Sequence, residues 1–230
     1  MIFNMITQGG GGGSTPTGTL SITSNGVYNV ISYASADVNV QGGGTDSRFA
    51  QMVEKTITEA SDSTVTNIGS YAFVYCSSLI TANFPNVTYI ADHAFASCQS
   101  LTTISFPNVV SMDSYAFAYC TSLTTASFPN AVSIGIYAFE YCTSLTTASF
   151  PKAKSLGNYA FRYCSRLTKL YLTSTSLVSL GGSRVFSSTP IGGYSAAAGQ
   201  YGSVFVPASL WSAYRSATYW SSISSRIVSV

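Results

Sequence analysis

The chain has 230 residues, 46% of them hydrophobic but only 8% charged, against roughly a quarter charged in an average domain. Ser, Thr, Tyr, Gly and Asn take the place of the charges, a composition suited to uncharged partners such as glycans or other protein chains. The net charge of +2 gives no electrostatic reason for nucleic-acid binding, and no apolar run approaches the roughly 18 residues of a membrane span, so no membrane insertion is expected. Residues 1–18 open with Met1 to Ile6, which lacks a basic start, and run into Gly9 to Gly13. They predict a flexible linker and no secretion signal. Residues 19–41 predict a small β module. Leu20 to Ile22 and Val27 to Val30 flank Asn25-Gly26, a strong hairpin signal, and Asp37 to Val40 adds a third strand. Alone such a piece is marginally stable. Residues 42–64 predict a second linker, Gly42 to Gly44, and then a short helix. Asp46 would cap it, with Phe49, Met52 and Val53 on one face covering the open end of the next domain.

From Val65 onward the chain repeats. Cys76, Cys98, Cys120, Cys142 and Cys164 are spaced by 22 residues. The same period carries Phe73, Phe95, Phe117, Phe139 and Phe161, each after an Ala, and Leu79, Leu101, Leu123, Leu145 and Leu167. It also carries the Phe-Pro pairs at Phe84, Phe106, Phe128 and Phe150. Leu101, Ile104 and Phe106 have the L-x-x-L-x-L spacing of leucine-rich repeats, whose periods run from 20 to 29 residues. Alternation at Ile104 and Phe106 predicts a short strand with Thr103 and Ser105 facing away, ended by Pro107. Residues 65–190 therefore predict a leucine-rich-repeat solenoid, with parallel β strands on one face and an irregular or short helical return side. One coil cannot bury its own apolar face, so the stack is the cooperative unit. In residues 191–230 the repeat gives way to a C-terminal cap. A strand is expected at Val204 to Val206, and a helix from Pro207 to Tyr219 with Leu210, Ala213, Tyr214 and Ala217 inward.

The pattern I-G-x-Y-A-F-x-Y-C-x-S-L-T-T-x-x-F-P-N over about residues 65–190 closely resembles the BspA-like leucine-rich repeat family. That resemblance implies a bacterial surface or adhesion protein, or a related phage-encoded protein of gut bacteria. Residues 19–40 resemble short modules of phage tail and other virion proteins, and the C-terminal segment resembles the cap of phage and bacterial members.

Candidate sites are few. One cysteine per coil, five in all with no C-x-x-C pair, reads as a buried small hydrophobe rather than a disulfide or metal ligand. The carboxylates are scattered, so no pair is set up for acid–base chemistry, and His93 fills a slot held elsewhere by Tyr71, Tyr115, Tyr137 and Tyr159. Gly9 to Gly13 has no Lys-Ser/Thr after it and is no phosphate loop. No catalytic residue, metal or cofactor is expected. Two surface ladders remain as candidate ligand-binding residues: Tyr75, Tyr119, Tyr141 and Tyr163 on the return side, and Thr103, Ser105, Thr125, Ser127, Thr147 and Ser149 on the strand face. Aromatic rings beside hydroxyls bind sugars or protein partners, while the same rows also serve simply to pack successive coils.

The combined expectation is a non-enzymatic phage virion component of the tail or fibre, made in the host cytoplasm. Residues 1–40 would attach to other virion or surface proteins, with self-association as one route, and the solenoid would face a host glycan or protein. The alternative is a bacterial cell-surface adhesin.

Overall fold

The computed structural model describes residues 18–24, 27–33, 57–63, 65–193 and 199–230, the first two stretches as backbone alone. The glycine runs, the strand expected at Asp37 to Val40 and the capping helix expected near Phe49 lie outside the described residues.

Strands β1 (Gly18–Ser24) and β2 (Val27–Tyr33) pair antiparallel, Ser24 opposite Val27. The solenoid then winds in coils of two strands and a double turn. Its strand face is built from β3 (Ile57–Ser61), β5 (Thr81–Asn83), β7 (Thr103–Ser105), β9 (Thr125–Ser127), β11 (Thr147–Ser149) and β13 (Lys169–Tyr171). A second ladder of two-residue strands comprises β4 (Asn67–Ile68), β6 (Tyr89–Ile90), β8 (Ser111–Met112), β10 (Ser133–Ile134), β12 (Ser155–Leu156) and β14 (Ser179–Leu180). All pairings within the coils are parallel. Their register equals the repeat, as in Thr147 against Thr125 and Ile134 against Met112, so each side chain meets its own equivalent one coil on.

That register explains the repeated residue types. The phenylalanines form two buried columns. Phe73, Phe95, Phe117, Phe139 and Phe161 stack ring on ring at 4.9–5.5 Å. Phe84, Phe106, Phe128 and Phe150 stack at 5.7–6.2 Å. The Asn that follows three of the four Phe-Pro pairs holds the coils together at the corner: the Nδ2 atoms of Asn108 and Asn130 each donate at 2.8 Å to the preceding coil's proline carbonyl. Pro itself marks where the face strand must end, having no N–H for the ladder.

The strand face is interrupted once among the described residues. β7 and β9 share no ladder, and the face divides into the orders β2-β1-β3-β5-β7 and β16-β15-β13-β11-β9, where β15 is Ser203–Val206 and β16 is Ile227–Ser229. The second ladder runs on unbroken through β8 and β10. Ile104 occupies the inward slot that Ala82, Ala126 and Ala148 fill in neighbouring coils. The Phe106–Phe128 spacing of 6.2 Å, beneath this break, is the widest in its column.

Two features differ from the sequence expectation. The solenoid sheet starts at β3, inside the stretch assigned to linker and cap: Ala60 is buried in register with Ala82, and β1 pairs antiparallel with β3. The return side is neither irregular nor helical among the described residues but a ladder of short strands and turns. Tyr71, Tyr75 and their equivalents have positive φ, which no right-handed helix accommodates.

At the C-terminal end a 3₁₀ turn (Ala208–Leu210) leads into helix α1 (Trp211–Ser216). This helix is shorter than the expected one because Ala217 turns extended. Tyr214 is fully buried, and so is Trp220, to which the sequence pattern assigns no role. Trp220 Nε1 donates to the Val178 carbonyl at 2.7 Å, the Tyr214 hydroxyl accepts from the Val178 N–H at 3.1 Å, and the Trp220 ring lies 5.8 Å from Phe186.

Candidate functional site

The tyrosines sit on the double turn, and the turn decides how they are presented. Tyr71 and Tyr75 both have φ 60, and the equivalent residues of the next four coils lie between 54 and 64. A non-glycine residue there is strained by about 1–2 kcal/mol. Forward hydrogen bonds offset the strain: the N–H groups of Tyr71, Phe73 and Tyr75 donate to the next coil's Asp92, Ala94 and Ala96 carbonyls at 2.7–3.0 Å. Ring stacking adds to this. Tyr71, His93, Tyr115, Tyr137 and Tyr159 form one continuous column with centroids 4.5–4.9 Å apart. His93 thus takes a tyrosine's place in the stack and bonds to Asp92 Oδ2 through Nδ1 at 2.8 Å. In the second column Tyr119, Tyr141 and Tyr163 stack at 4.9 and 4.4 Å.

Stacking covers most ring faces and leaves edges and hydroxyls to solvent. Between the columns the repeat places Ala96 and Ala118, then Glu140 and Arg162. Arg162 pairs with Glu140 at 3.2 Å and lies 4.5 Å over the Tyr163 ring, and Arg184 reaches the Tyr159 hydroxyl at 3.1 Å. These cations close the C-terminal end of both columns. Burial raises the Glu140 carboxyl above its ordinary range, against the opposing pull of Arg162. Burial, with a hydrogen bond to Asp113, pushes Tyr89 up to about 12.

On the strand face, Thr103, Ser105, Thr125 and Ser127 are exposed and Thr147 and Ser149 half-buried, all outward of the sheet. They form two hydroxyl rows, broken between β7 and β9. Among the described residues no three His, Cys, Asp or Glu side chains gather as metal ligands, and no helix is long and apolar enough to cross a membrane. An open depression beside α1, lined by Trp211, Ser212, Arg215, Ser216 and Ser224, brings in no carboxylate or thiol.

The cysteines are buried and none is in a disulfide. Four have a specific reason to be cysteine: the thiols of Cys98, Cys120, Cys142 and Cys164 donate to the Phe73, Phe95, Phe117 and Phe139 carbonyls of the preceding coil at 3.0–3.2 Å. Burial pushes Cys98, Cys120 and Cys164 well above the ordinary thiol range. Since the thiolate is the reactive form, native protein is expected to react with a thiol reagent at pH 8 at a small fraction of the denatured rate. Denatured, unreduced protein should give five thiols; fewer would reveal a disulfide.

The net charge conceals an arrangement along the chain. Between Ile57 and Pro151 the chain carries Glu59, Asp62, Asp92, Asp113 and Glu140 and no Lys or Arg. After Pro151 it carries Lys152, Lys154, Arg162, Arg166, Lys169, Arg184, Arg215 and Arg226 and no Asp or Glu. The stacking order turns this into an acidic half and a basic half along the solenoid axis. Composition and net charge miss it; the signal is in the position of each charge.

The BspA type leucine rich repeat region matches residues 47–168 in six copies, more than half of the chain. The chain belongs to this family. Among solved structures, it is similar to a leucine rich repeat protein of T. pallidum at 21% identity and TM-score 0.38, covering 50% of this chain and 77% of that one. It is also similar to a leucine rich cell surface protein of Faecalibacterium prausnitzii (20% identity, TM-score 0.45, 81% of this chain and 62% of that one). A leucine-rich repeat protein of Bacteroides ovatus matches at 17% identity and TM-score 0.41, over 80% of this chain and 61% of that one. The chain thus spans about three fifths of the length of the latter two. No curated protein matches it.

Proposed function

We propose that this chain is a non-enzymatic binding protein of the bacterial cell surface. It would present the outer rows of its BspA-type solenoid to a host glycan or protein, with no cofactor. The observation that carries this reading is the extended, sparsely charged surface of repeated hydroxyls and tyrosines on a family scaffold whose resemblance implies surface adhesion. Rows at a fixed coil spacing suit an extended ligand, because each coil offers the same contacts again.

A second reading, a phage virion component attached through residues 1–40, is favoured by one observation, the likeness of residues 19–40 to virion modules. Its solenoid would bind in the same way. Fractionation separates the two. An antibody to the solenoid is expected to label intact producing cells, and protease treatment of those cells should remove the signal. Label recovered only with purified phage particles would replace the first reading with the second, and label confined to the cytosol would overturn both. Binding itself is checked with purified protein on host epithelial cells and mucin, where saturable retention is expected.

A further inference from the structure

The second tyrosine column has a gap. Its positions in successive coils are Tyr75, Ser97, Tyr119, Tyr141 and Tyr163. At Ser97 the backbone passes through unchanged: φ is 64, against 60 and 61 at Tyr75 and Tyr119. The Ser97 N–H donates to the Ala118 carbonyl at 2.7 Å, as Tyr75 does to Ala96 at 2.8 Å and Tyr119 to Glu140 at 2.7 Å. Only the ring is missing. Tyr75 and Tyr119 therefore flank the gap from the coils on either side, and two steps of about 4.8 Å set them roughly 9–10 Å apart, the room one further ring would occupy.

Exposure agrees with this. Tyr75 is 61% and Tyr119 41% exposed, while Tyr141 and Tyr163, which stack on each other, are half-buried. Tyr75 stacks on no ring among the described residues, and Tyr119 stacks only on Tyr141. The gap has a small floor, Ala96 and Ser97. It lies in the half of the solenoid that has no Lys or Arg; the acids of these two coils, Asp92 and Asp113, bond to His93 and Tyr89.

We propose that the gap at Ser97 is a docking slot for one aromatic side chain of a partner protein, flanked in the partner by basic residues. The ring completes the column between Tyr75 and Tyr119, and the basic neighbours meet the half of the solenoid that carries acids and no Lys or Arg. Offset stacking on two faces favours a flat ring, and the charge pattern selects its sequence context. This deepens the binding reading above and rests on it.

The test uses the full chain with tyrosine ring carbons labelled for NMR, and three peptides: acetyl-Lys-Tyr-Lys-amide, acetyl-Glu-Tyr-Glu-amide and acetyl-Lys-Ala-Lys-amide. The first is expected to shift the Tyr75 and Tyr119 ring signals with a millimolar Kd. The second should bind at least fivefold more weakly, and the third should leave those signals in place. Ser97→Tyr supplies the ring from within. It should raise the melting temperature and weaken the first peptide at least tenfold, whereas Ser97→Ala keeps binding. Unchanged binding to Ser97→Tyr, or equal binding of the lysine and glutamate peptides, overturns the proposal. So does methyl β-D-glucopyranoside shifting the same two rings at the concentration at which the lysine–tyrosine peptide fails. Saturable retention of Ser97→Tyr protein on host cells, as for wild type, would sink the slot but leave the binding function standing; loss of retention by wild type itself would sink the function.

Discussion

Replacing Phe117 with Ala is expected to cost about 3–5 kcal/mol, the usual penalty for truncating a buried Phe. Phe117 is fully buried in the middle of its column. Its ring lies 5.2 Å from Phe95 and 5.4 Å from Phe139, with Phe128 at 5.6 Å and Phe106 at 5.9 Å from the second column. The hole would open beside β7 and β9, where the strand face already lacks its ladder. The bonds that still join these coils lie on the turns and the second ladder, such as Phe95 N–H to the Ala116 carbonyl at 2.8 Å and Val132 N–H to the Val110 carbonyl at 2.7 Å, and solenoid stability rests on unbroken contacts between neighbouring coils. Urea unfolding should show a much lower midpoint, or two transitions in place of one. A midpoint indistinguishable from wild type would mean that the columns are not the source of stability.

Replacing Gly135 with Ala is the second large effect. A Cβ at Gly135 would stand 2.3 Å from both the carbonyl carbon and the oxygen of Asp113, and 2.7 Å from the Ser114 nitrogen. These are backbone atoms of the preceding coil, so no side chain can swing aside. The coils would have to separate, and inter-coil bonds nearby, such as Tyr115 N–H to Ile136 carbonyl at 3.0 Å, would stretch. Overpacking ordinarily costs about 1–3 kcal/mol, and a clash against backbone on a repeated interface belongs at or above the top of that range. Gly193→Ala is the control, since a Cβ there meets nothing within 4 Å. A substantial drop in melting temperature is expected for the first and almost none for the second. Equal melting temperatures would show that neighbouring coils can spread apart at little cost.

Gly135 marks where sequence reasoning stops. The same repeat position holds Ala91 and Asp113 in earlier coils, so the sequence alone reads it as tolerant of side chains. The distance to the coil before it decides otherwise at Gly135, and that distance is a property of the stack. The tyrosines teach the same lesson. Their period of 22 places them in columns correctly, and His93 reads as a substitution within one of them. Their positive φ is invisible in the sequence, because Tyr carries no preference for that region; the forward hydrogen bonds of the turn impose it. Stacking then uses up the ring faces of Tyr141 and Tyr163, which as isolated residues look available to a ligand. Tyr75 and Tyr119 keep free faces only because Ser97 stands between them.

What the sequence determined by itself was the repeat: its length, its two phenylalanine columns, the inward cysteines, the proline that ends each strand and the family the chain belongs to. All of these come from one residue type recurring at one spacing, and in a parallel stack an offset of one period is itself a contact. The tertiary structure decided what depends on neighbouring coils being unequal. The strand face divides between β7 and β9, Trp220 closes the last coil, and five acids and eight bases separate into two halves. Such exceptions carry no periodic signal, and their consequences come from the atoms one coil away.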